Sequence, residues 1–70
     1  MDSGAQRRNT VLERLDRDAF VGVTALAEDL GCSEMTIRRD LARLEREGKL
    51  KRRHGGAVPT RMVRLEFAMN

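Results

Sequence analysis

Twelve arginines and two lysines stand against eleven acidic residues in this chain of 70, and their placement tells more than their number. Arg39, Arg43 and Arg46 recur at i, i+4 and i+7, a spacing that stacks three positive charges along one helix face. Like charges at that spacing cost about 0.2–0.5 kcal/mol per pair. Folding gives no return for that cost, whereas an anionic partner does. Residues 38–53 hold eight Arg or Lys against three Asp or Glu. The balance is −3 over residues 1–37 and +6 over residues 38–70, giving the net +3. A basic block concentrated on one part of a structured domain is the electrostatic footprint of a polyanion site. Other chemistries are poorly served. The one cysteine, Cys32, and the one histidine, His54, have no further ligand at metal-site spacing, so no metal is expected. A Cys32/His54 nucleophilic pair lacks a third, orienting group, and a chain this short offers little room for a cleft. No catalytic residue and no cofactor is expected, and the chain reads as a non-enzyme.

The elements that must carry these residues follow from apolar spacing. Val11, Leu12 and Leu15 mark a first helix over residues 5–17, with Glu13 and Arg17 as an i,i+4 pair and Asp18 at its end. Phe20-Val21 reads as a short extended stretch. Val23, Leu26, Ala27 and Leu30 fall at i, i+3, i+4 and i+7, one face of a second helix. Gly22 can serve as its N-cap, with Thr24 a competing start two residues on, and Gly31 is the residue that lets the chain reverse. Ser33 caps a third helix over residues 34–47, where Ile37, Leu41 and Leu44 form the buried stripe and Gly48 ends the run. Glu34 in its first turn suits the helix dipole. The basic run from Lys49 to Arg53, the His54-Gly55-Gly56 turn and Ala57-Val58 predict a β-hairpin, with Leu50 and Val58 facing inward.

At about 100° per residue, Met35, Arg39, Ala42, Arg43 and Arg46 lie opposite the buried stripe of the third helix. Arg38 lies to one side, where a phosphate suits it better than a base edge. Asp40, Glu45 and Glu47 project to the flanks of the arginine stripe, with Asp40 expected to pair locally with Arg43. Small Ala42 lets the helix approach a groove closely. The DNA major groove admits an α-helix, and arginine is the commonest reader of guanine there. Helix, short helix, tight turn, longer helix and basic hairpin is the element order of a winged helix-turn-helix. The fold expected is therefore mainly α with a small β-hairpin, three helices plus a wing, over residues 1–59. Val63, Leu65, Phe67 and Met69 alternate without a partner, so residues 60–70 read as a linker or the start of a further domain.

Composition narrows the classes further. Hydrophobic residues at 40% and charged residues at 36% of the chain are too apolar and too mixed in sign for disorder. No apolar run approaches a membrane span, and a single cysteine points to a reducing, cytoplasmic setting. Without Trp or Tyr, stacking platforms for single-stranded nucleic acid are not expected. Cys32 reads as a small hydrophobe plugging the turn.

The run Ser33-Glu34-Met35-Thr36-Ile37-Arg38-Arg39-Asp40-Leu41, preceded by Arg7, Val11 and Leu15, resembles the signature of DeoR-type bacterial transcription regulators. Lys51-Arg52-Arg53-His54-Gly55-Gly56-Ala57 is similar to the wing of the same family. Spacing agrees from Arg7 to Ala57 without a gap. The resemblance implies a winged helix-turn-helix that binds operator DNA, usually as a repressor of sugar-metabolism genes. It places the helix-turn-helix motif at residues 21–40. Ser33, Met35, Thr36 and Arg39 would approach the groove, Arg38 and Arg43 would meet phosphates, and Arg52, Arg53 and His54 would contact DNA from the wing. Gly55 and Gly56 would serve the hairpin turn. The family further implies a C-terminal domain that senses a phosphorylated sugar and joins subunits, for which this chain is too short. Two positions depart from the pattern: Gly22 replaces a frequent capping serine, and Cys32 a usual valine.

Double-stranded operator DNA is thus the expected partner, with no membrane contact. The chain by itself is expected to be a monomer, and the longer protein a homo-oligomer. The rival class is a winged-helix module for a protein or RNA partner, favoured if duplex binding shows no sequence preference.

Overall fold

Val11 and Leu15, one turn apart, join Leu26, Ile37, Leu41 and Leu44 in a single buried cluster. This is the convergence of three helical stripes that the spacing predicts. The computed structural model describes residues 3–62. Helix α1 spans Ser3–Asp18, strand β1 Val21–Gly22, helix α2 Val23–Leu30, helix α3 Glu34–Arg46, strand β2 Leu50–Arg53 and strand β3 Gly56–Pro59. Each fully buried Leu, Ile or Val contributes about 1.5–3 kcal/mol, so the three-helix core supplies most of the stabilisation. Leu30, expected in the core, is half-buried against it with Leu12 and Cys32.

Helix ends follow local chemistry. Gly31 takes a left-handed φ of 67° and its N–H donates to the Ala27 carbonyl, closing α2. Ser33 caps α3, its Oγ accepting the Thr36 N–H at 3.1 Å. At the end of α1 the same left-handed turn falls on Ala19, with φ 63°, where a Cβ costs about 1–2 kcal/mol. Arg17 pairs with Asp18 rather than with the expected Glu13, because the neighbouring carboxylate lies within reach of both Nε and Nη2.

The extended stretch after α1 becomes a third strand. β1 pairs antiparallel with β3, and β3 with β2, in the order β1-β3-β2. Gly56 is essential to this join: a Cβ there would lie 1.9 Å from the Val21 carbonyl oxygen and 2.8 Å from Cζ of Phe20. The two-residue turn His54-Gly55 sets Leu50 opposite Pro59 and Lys51 opposite Val58. Val58 therefore shares a face with Lys51 and is only half-buried, and Ala57 is the residue buried with Leu50. The expectation of an inward Val58 fails on register, since a one-residue shift exchanges the faces of a strand.

Thr60, Arg61 and Met62 are helical. Thr60 Oγ1 donates to the Gly48 carbonyl at 3.0 Å, and Arg61 Nη1 meets Asp16 at 3.0 Å. The alternating tail Val63, Leu65, Phe67 and Met69 lies outside the described residues.

Candidate nucleic-acid interface

Capping fixes the start of α3, and its exposed face follows from there. Ser33 is exposed and its hydroxyl lies 3.0 Å from Thr36 Oγ1, so the cap and the half-buried Thr36 are held together. Met35 is 60% exposed, far more than a methionine serving the core. Arg38, Arg39, Arg43 and Arg46 are all exposed, whereas Ala42 is half-buried. Arg39 and Arg46 make no ion pair among the described residues. Arg38 donates to Glu34 Oε1 at 3.0 Å, and Arg43 lies 3.4 Å from Glu47. The arginine stripe is thus partly neutralised at Arg43 and open at Arg39 and Arg46.

Asp40 behaves differently from the expectation. Its carboxylate is buried and accepts from Nε and Nη2 of Arg7, with Arg8 Nη1 3.6 Å away. A position on the flank of α3 faces α1, so the long α1 arginines reach it and Arg43 does not. The three-residue spacing to Arg43 suggested the wrong partner; the order of Arg7, Arg8 and Asp40 in the chain carries no sign of the contact.

The wing is fastened to both helices of the motif. The Val23 N–H at the start of α2 donates to the Gly55 carbonyl at 2.9 Å. Gly55 takes φ 76°, which glycine adopts freely. On the other side, Glu45 of α3 accepts the Arg52 backbone N–H at 2.8 Å and Arg52 Nε at 3.1 Å. Chiefly the bond from the Arg52 backbone holds the Glu45 carboxyl below its ordinary range, while partial burial opposes it. Hydrogen bonds from Lys49 and then Arg43 lower Glu47 likewise. Thr24 Oγ1 donates to Glu34 Oε2 at 3.2 Å, so Glu34 links α2, α3 and Arg38. Together these residues leave an open cleft between the start of α2, α3 and the wing, lined by Thr24, Arg38, Arg52, Arg53 and His54. The wing cations Lys51, Arg52, Arg53 and His54 are exposed.

Of the expected contact residues, Arg38, Arg52, Arg53 and His54 line the cleft, while Ser33, Met35, Arg39 and Arg43 are exposed and Thr36 is half-buried on or beside α3. Against this geometry, the model of the DeoR-like helix-turn-helix domain matches residues 7–61. The chain belongs to that family. Its DeoR-like sequence is 42% identical over 62 residues to the HTH-type transcriptional regulator GlpR of Haloferax volcanii, covering 89% of this chain and 24% of that protein. It is 43% identical over 63 residues to the uncharacterised regulator YulB of Bacillus subtilis, covering 90% and 24%. To the lactose phosphotransferase system repressor of Staphylococcus epidermidis it is 41% identical over 51 residues, covering 73% and 20%. The chain thus spans about a quarter or less of the length of these relatives. No solved structure matches it.

Within this DeoR-like domain the start of α2 at Gly22 is held by the wing. Gly22 makes no side-chain cap, but the Gly55 carbonyl accepts the N–H of Val23, another of the unpaired donors at the start of α2. At the other departure, half-buried Cys32 packs against the core and its N–H donates to the Ala27 carbonyl at 3.0 Å. Among the described residues no group of three or more His, Cys, Asp or Glu is placed to hold a metal ion. No helix among them is long and apolar enough to cross a membrane.

Proposed function

We propose that this DeoR-like domain reads double-stranded operator DNA, with α3 in the major groove and the wing against the backbone or minor groove. The observation that carries this reading is the outer face of α3, where Met35, Arg39 and Arg46 are exposed and the two arginines have no ion pair among the described residues. Arg39 spans two acceptors of a guanine, with Ser33, Met35 and Thr36 beside it at the helix start. Arg38, Arg43, Arg52 and Arg53 meet phosphates, and His54 touches the duplex from the wing turn.

The regulator acts as a repressor of sugar or carbohydrate genes; the family and the name of the staphylococcal lactose repressor support this. In this reading the longer regulator senses a phosphorylated sugar and assembles into a homo-oligomer through a further domain, as the DeoR resemblance implies. The chain alone is a monomeric head that binds a half-site weakly, gaining affinity only when paired heads engage two half-sites.

Salt dependence tests the proposal. Four phosphate contacts give a slope of log affinity against log salt of roughly −3.6. Fluorescence anisotropy with a duplex selected from random sequences measures it. A slope near zero, or equal binding to every duplex, would favour a protein or RNA partner instead.

A further inference from the structure

Glu45 is an acidic residue set in the basic block, and its position is not explained by the arginine stripe. Among the described residues, strand β2 lies at the edge of the sheet, paired only with β3. An edge strand leaves alternate N–H groups without a strand partner, and such groups need an acceptor. Glu45 supplies one. Its Oε2 accepts the Arg52 N–H at 2.8 Å while Oε1 accepts Arg52 Nε at 3.1 Å. A carboxylate held by two donors of one residue fixes that residue in orientation as well as distance. Holding Nε leaves the two terminal amino groups of Arg52 for other acceptors, and the Arg52 side chain is 51% exposed.

We infer that Glu45 is a positioning residue for DNA binding: it substitutes for a missing strand, sets the pitch of the wing against α3, and aims the Arg52 amino groups at a phosphate. This rests on the DNA-reading proposal above. It also assigns a sign that simple electrostatics would reverse. Removing a negative charge beside a polyanion strengthens binding on charge grounds alone, whereas losing a positioning residue weakens it.

The test compares the parent chain with Glu45→Gln, Arg52→Ala and the double variant on a duplex selected from random sequences. Thermal unfolding by circular dichroism selects conditions in which all are folded. The expected result is about tenfold weaker binding for Glu45→Gln, equivalent to about 1.4 kcal/mol, with a salt slope shallower by about 0.9. The double variant binds no more weakly than the weaker single one, because both changes remove the same contact. Binding by Glu45→Gln as tight as the parent's, or tighter, overturns the inference. Hydrogen exchange at the Arg52 amide separates the clamp from the DNA reading. If the parent binds no duplex, the reading above fails, and the clamp still requires at least about tenfold faster exchange in Glu45→Ala. Unchanged exchange overturns the clamp itself.

Discussion

Replacing Asp40 by alanine tests how the reading helix is held. Its carboxylate is buried and meets two arginines of α1. Removing one partner of a buried ion pair costs about 3–5 kcal/mol, since the remaining charge keeps its desolvation penalty. Arg7 and Arg8 retain 23% and 14% side-chain exposure, so water recovers part of this and the expected loss is about 3 kcal/mol. A domain of this size has about 4–10 kcal/mol in total, and each kcal/mol moves Tm by about 4–8 °C. Asp40→Ala should therefore lower Tm by about 12 °C or more. Urea unfolding followed by far-UV circular dichroism measures the loss, provided the m-value is unchanged. Arg14→Ala is the control: it breaks an exposed pair with Asp29 and should cost less than about 1 kcal/mol. A loss for Asp40→Ala no larger than the control's would refute the reasoning, because the bridge would then act as a surface pair.

Two further outcomes follow from local geometry. Ala19→Gly removes a Cβ from a left-handed φ of 63° and should raise stability by about 1 kcal/mol, read from urea midpoints; a destabilised variant would contradict the strain. The Glu45 carboxyl is lowered in the fold by its bonds to Arg52, so its contribution is complete above the unfolded pKa and is lost as pH falls through the folded one. Protection of the Arg52 amide, that is, its exchange relative to the intrinsic rate at each pH, followed by NMR from neutral pH downward, should fall across that acidic window and stay constant above it; a change in protection near neutrality would point to a different group.

The helices were legible because their apolar spacing and caps are local: Ile37, Leu41 and Leu44 face the core as spacing requires, and Ser33 caps as its type suggests. The family signature rests on the same continuous stretch. What escaped was set by pairing across the chain. Val58 turned outward because register depends on where the two-residue turn falls. Asp40 found Arg7, 33 positions earlier, through packing of α1 on α3 that no spacing rule encodes. The third strand was visible only as an extended pair at Phe20-Val21, since two residues cannot show alternation. At the interface, the charge stripe could be projected from the sequence, but the bonds from Glu45 and Gly55 that hold the wing involve backbone groups of distant segments.

Arg39 carries the central claim, and its removal is the most direct measurement. Anisotropy titrations of the parent and Arg39→Ala should be run on a selected duplex and on random duplex at one salt concentration. A guanine-reading arginine contributes about 1–3 kcal/mol of discrimination. The ratio of specific to random affinity should therefore fall by roughly 5- to 150-fold, with random binding weakened far less. Equal losses on both duplexes would mean that Arg39 meets only the backbone, and would contradict the account of α3 as the reading helix.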